Sequence, residues 1–63
     1  MSSKELKDLS QKIVCFRAKN NINQEEFASR CHLTQQTICN IENEKQKPTK
    51  LTKQKILNVI NEG

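Results

Sequence analysis

Glycine and proline are almost missing from this chain, with one of each in 63 residues, and it has no tryptophan or tyrosine. Sheets are stitched by glycine- and proline-bearing turns and favour aromatic strands, so the shortage argues for packed helices. No apolar run approaches the ~20 residues that a membrane span requires, and no signal-peptide pattern opens the chain. A cytoplasmic protein with no membrane partner is therefore expected. Disulfides are excluded as a framework, because Cys15, Cys31 and Cys39 are odd in number and carry no secretory context. A zinc site is not expected either. There is no Cys-x-x-Cys pair, and the adjacent Cys31 and His32 project in different directions. Cys31 reads as a small apolar filler, and Cys15 and Cys39 as surface thiols. No carboxylate pair or nucleophile-base set can be drawn, so no catalytic residue, cofactor, metal or small-molecule ligand is expected.

What remains is short, basic and helical. A chain of this length makes one small domain, residues 1–63, with a thin core. Eleven Lys plus Arg stand against seven Asp plus Glu, a net charge of +4. The positive charge is bunched: Lys45, Lys47, Lys50, Lys53 and Lys55 occupy a run with no acid in it. A polyanion would neutralise that stretch, although a solvated lysine-rich loop would look the same by composition.

Four helices are predicted, at about 3–20, 24–31, 35–43 and 52–61. Ser2 with Glu5 forms a capping box, with Ser3 as an alternative cap. Leu6, Leu9, Ile13 and Phe16 then fall in a stripe of about 80°. Arg17 lies at the edge of that stripe, where a charge needs a partner. Asn20-Asn21 suits a turn, and Asn23 is the next N-cap, with Glu25 and Glu26 in the first turn of its helix. Phe27, Ala28 and Cys31 share one face. His32-Leu33 makes a turn, with Leu33 expected in the core, and Thr34 caps the third helix. After a polar connection around Pro48, Thr52 is the expected cap of the last helix. Its Ile56, Leu57, Val59 and Ile60 span about 160°, wide enough to leave Leu57 or Val59 for a second subunit.

The third helix carries the chemistry. Taking Gln36 as zero, Ile38 falls at about 200° and Ile41 at about 140°, so the isoleucines point opposite Gln36. Gln35 and Asn40 flank the outward face, with Cys39 between them. Neutral amides offer a donor and an acceptor together, as a base edge in the DNA major groove demands. An ordinary polar helix face is the competing reading. Gln24 begins a helix whose exposed N–H groups suit a phosphate. The Thr34 and Thr37 hydroxyls could reach one too. Glu42 lies just off the buried stripe of its helix, so it is expected to pair with Arg17.

These residues resemble a known family, the Cro-and-repressor type helix-turn-helix domains, also called the XRE family. The matching pattern is Ile13-x-x-Phe16-Arg17, then Ile22-Asn23-Gln24-x-x-Phe27-Ala28. It continues as Leu33-Thr34-Gln35-Gln36-Thr37-Ile38-x-x-Ile41-Glu42-Asn43 and Pro48. It covers roughly Leu9 to Ile60, and the Thr-Gln-Gln-Thr-Ile run is similar to the recognition helix of lambdoid phage repressors. The resemblance implies an all-α, compact, lambda-repressor-like domain of four or five helices containing a helix-turn-helix. It further implies base contacts from Gln35, Gln36 and Asn40, with phosphate contacts from Gln24 and Asn43. Asn23, Thr34, Thr37, Lys45 and Lys47 complete the expected phosphate-facing set, and Arg17 with Glu42 is the implied structural ion pair. Two departures stand out, because family members usually carry Gly where His32 and Glu44 stand here.

The function these features imply is a sequence-specific DNA-binding regulator, most simply a phage or bacterial repressor. Its partner would be double-stranded operator DNA, probed as a palindrome by a homodimer. An activator or a restriction-modification controller would present the same face. The alternative class is a small protein-interaction module, an antitoxin or antirepressor on the same scaffold, for which an apolar recognition face would have been the signature.

Overall fold

A computed structural model describes residues 3–62. It is all-helical over those residues: α1 (Ser3–Asn20), α2 (Gln24–Arg30), α3 (Gln35–Glu42) and α4 (Lys50–Glu62). The Ser2 cap expected for α1 lies outside the described residues.

The apolar spacing decides what each helix buries. On α1, Leu6, Leu9, Ile13 and Phe16 all face the core. Ser10, also buried, turns its hydroxyl back to the Lys7 carbonyl at 2.8 Å, so its burial leaves no polar group unsatisfied. Phe16 meets Phe27 of α2 edge-on, with ring centroids 5.5 Å apart. Phe27, Ala28, Cys31, Ile38, Ile41 and Ile56 complete one cluster, with α3 packed on both α1 and α2 and with α4 packed on α1. Leu33 is half-buried against that cluster. Leu57, Val59 and Ile60 also pack against it while keeping part of their surface in solvent.

The three junctions between helices close by one device. Asn21, His32 and Glu44 have φ of 54°, 59° and 58°. In each case the residue after the left-handed one donates its N–H back into the helix: Ile22 to the Arg17 carbonyl (3.0 Å), Leu33 to Ala28 (2.8 Å) and Lys45 to Asn40 (2.8 Å). The left-handed residues themselves donate to Ala18, Ser29 and Ile41. This is the Schellman pattern, which satisfies the last carbonyls of a helix and is ordinarily built on glycine. Here an asparagine, a histidine and a glutamate fill the position.

The start of α4 corrects the sequence reading. The helix begins at Lys50, and Thr49 is its cap in place of Thr52. Thr49 Oγ1 accepts from the Thr52 N–H at 3.2 Å and the two hydroxyls bond at 3.0 Å. Both threonines can cap, but helix propensity does not require burial, so the helix extends back to Lys50 with Leu51 left 67% exposed. Cys39, expected at the surface, is half-buried, and its Sγ lies 3.3 Å from Asn43 Nδ2.

Candidate nucleic-acid interface

The α3 helix is held in place at both ends and along its inner side. Thr34 caps it, Oγ1 accepting from the Thr37 N–H at 3.2 Å, and the Thr34 and Thr37 hydroxyls lie 2.8 Å apart. Ile38 and Ile41 are fully buried on its inner face. At its last residue, Glu42 is gripped by Arg17 of α1 through two bonds, Nε to Oε2 at 2.9 Å and Nη2 to Oε1 at 2.8 Å. The Glu42 side chain is 8% exposed and that of Arg17 is 21%. A bidentate guanidinium–carboxylate pair of this kind fixes geometry in a way that a single contact does not.

That anchoring turns the amide row outward. Gln35 and Gln36 are exposed and Asn40 is half-buried on the same side. Gln36 Nε2 donates to Asn40 Oδ1 at 3.0 Å, and Asn40 Nδ2 donates to Gln46 Oε1 at 3.1 Å. Gln35 makes no side-chain hydrogen bond among the described residues. Gln46 escaped the sequence reading because it follows the helix, where periodicity says nothing. Only the left-handed turn at Glu44 returns it to Asn40.

The residues expected to face phosphate divide into two groups. Thr34, Lys45 and Lys47 are exposed at the ends of α3, and Thr37 is half-buried in its first turn. Like the Thr34 cap, the remaining three have side-chain bonds within the fold. Asn23 caps α2, its Oδ1 accepting from the Glu26 N–H at 2.8 Å. Asn43 donates from Nδ2 to the Cys39 carbonyl at 2.9 Å. Gln24 is half-buried and leans on the ion pair, Nε2 donating to Glu42 Oε1 at 3.3 Å. Each has a remaining donor or acceptor, since an amide offers two N–H groups and an oxygen with two lone pairs. In the lysine run, Lys53 lies 4.0 Å from Glu5 of α1, which draws its charge away from the loop.

Taken together, two short helices joined by the His32 turn present exposed amides on the second of them, with lysines just beyond its end. Among the described residues no helix is long and apolar enough to cross a membrane. A family model described as Helix-turn-helix matches residues 16–63, which takes in the end of α1, α2, α3 and α4. Neither the curated proteins nor the solved structures give a match.

Proposed function

Because the chain belongs to the XRE-type helix-turn-helix family, whose members are DNA-binding transcription regulators, we propose that it acts as a repressor. In this reading it occupies an operator in the cytoplasm as a homodimer and excludes polymerase. α3 would enter the major groove, with Gln35, Gln36 and Asn40 meeting base edges. Lys45 and Lys47 would lie beside one phosphate strand, with the Thr34 and Thr37 hydroxyls near another. Gln24 and Asn23, at the start of α2, would meet a phosphate with the N–H groups that a helix start leaves unpaired. Asn43 would do so by giving up the weaker of its two N–H bonds to Cys39, the one to Sγ at 3.3 Å.

One observation carries this reading: the outward face of α3 bears neutral amides and no carboxylate, and lysines flank it. An apolar α3 face would have favoured a protein partner instead. Among the described residues the exposed large hydrophobics, Val14 and Leu51, lie on α1 and α4.

The test is selection from a random-sequence duplex library, repeated across a salt series. The expected result is an enriched motif with two-fold symmetry and half-sites one helical turn, ~34–36 Å, apart. Affinity should fall steeply as salt rises, because each neutralised phosphate releases counterions. Binding that enriches no sequence, or that ignores salt, overturns the proposal.

A further inference from the structure

The amide row does not stop at the end of α3. Gln46 stands outside the helix, on a segment folded back by the left-handed Glu44 and held by the Lys45 N–H to Asn40 carbonyl bond of 2.8 Å. Its Oε1 accepts from Asn40 Nδ2 at 3.1 Å, while Asn40 Oδ1 accepts from Gln36 Nε2 at 3.0 Å. Asn40 is thereby held from both sides. It keeps one lone pair and one N–H, the complement an amide uses to face a purine edge. An asparagine free to turn its amide over exchanges donor for acceptor and loses its preference between bases. Asn40 cannot turn over here unless both glutamines turn with it.

We propose that Gln46 is a positioning residue for sequence reading: it fixes the sense in which the Asn40 amide is offered, and so sets the preference at the base pair Asn40 meets. The proposal rests on the DNA-reading role of α3. It makes the last base-reading position a joint property of the helix and the loop that follows it.

The experiment selects duplexes from a randomised library with the unaltered protein and with Gln46→Ala, Gln46→Glu, Asn40→Ala and the Asn40→Ala/Gln46→Ala pair. Asn40→Ala identifies the base pair whose preference collapses. Gln46→Ala is expected to lower the preference at that same base pair on the order of five- to tenfold, and to leave other positions within about twofold. Gln46→Glu keeps an acceptor oxygen where Asn40 donates and adds a negative charge, so it keeps the preference while weakening binding to every duplex. The double substitution broadens the site no further than Asn40→Ala alone. A Gln46→Ala protein that selects the unaltered motif, or that loses affinity equally on all duplexes, overturns the proposal while the reading role of α3 stands. If the unaltered protein selects nothing, the reading role itself falls and this inference with it. A fold defect would lower the binding-competent fraction and leave the selected motif unchanged, so it counts with the overturning results.

Discussion

Replacing the three left-handed residues with glycine should stabilise the protein in the order Glu44, His32, Asn21. A residue with a Cβ in the left-handed region carries about 1–2 kcal/mol of steric cost that glycine avoids. Glycine returns about 0.5–1 kcal/mol of this through the greater freedom of the unfolded chain. Glu44 and His32 are exposed, and neither side chain makes a hydrogen bond among the described residues, so no contact is lost on substitution. Glu44→Gly should therefore gain about 0.5–1 kcal/mol. His32→Gly should gain roughly half as much, because histidine tolerates this region better than most residues. Asn21→Gly should change stability little, since asparagine visits the region at small cost. For a domain of this size, 1 kcal/mol moves Tm by about 4–8 °C, so the Glu44 shift should reach roughly 3–6 °C in reversible thermal unfolding followed by circular dichroism. Glu44 also carries a negative charge at the negative end of the α3 dipole, so removing it would help for a second reason. Glu44→Gln removes the charge and keeps the Cβ. The reasoning is refuted if Glu44→Gly is no more stable than Glu44→Gln, or if Asn21→Gly gains as much as Glu44→Gly.

Arg17→Leu should cost about 3 kcal/mol, the low end for a broken buried pair because Arg17 keeps part of its side chain in water. Urea midpoints should show Arg17→Leu/Glu42→Leu recovering most of that loss, and equal losses for the single and double changes would count against the pair. Burial pushes the Cys31 thiol from 9.0 up to about 11. The folded state therefore holds this proton more tightly than the unfolded chain does, and the stability it contributes is present below pH 9 and lost as pH rises towards 11. Urea unfolding at pH 8 and pH 10.5 should show a smaller alkaline loss for Cys31→Ala than for the unaltered protein. Thr49→Ala should lower stability by about 1 kcal/mol through loss of the α4 cap, and Thr52→Ala by clearly less; the opposite ranking would place the cap at Thr52. On the selected duplex, Gln36→Ala should cost about 1–3 kcal/mol and relax one base pair, whereas Lys45→Ala should weaken all duplexes and reduce the salt slope by about 0.9. Equal losses on selected and random duplexes for Gln36→Ala would remove it from the reading set.

The inner faces of the helices were legible because burial at helical spacing leaves a periodic trace, from Leu6 to Phe16 and again at Ile38 and Ile41. Asn23 and Thr34 were legible as caps because each directly precedes its helix. Arg17 and Glu42 could be matched because a charge at the margin of a buried stripe demands a partner. The cap of α4 was not decidable from pattern, as Pro48-Thr49 and Thr52 both offer a start and burial does not distinguish them. Gln46 and the Gln24 bond to Glu42 depend on how loops and helix ends close in space, which leaves no period in the chain. Glycine normally announces a left-handed turn, and His32 and Glu44 hide two of them.

The grip of Arg17 on Glu42 acts on rotation as well as on attachment. Two buried isoleucines alone leave a helix some freedom to roll about its own axis. A forked contact at its final residue narrows that freedom. In the proposed reading, the choice of operator is thus partly written on α1, which carries none of the side chains that would touch a base. Operator preference could then drift through changes in α1 packing while the amide row stays the same letter for letter.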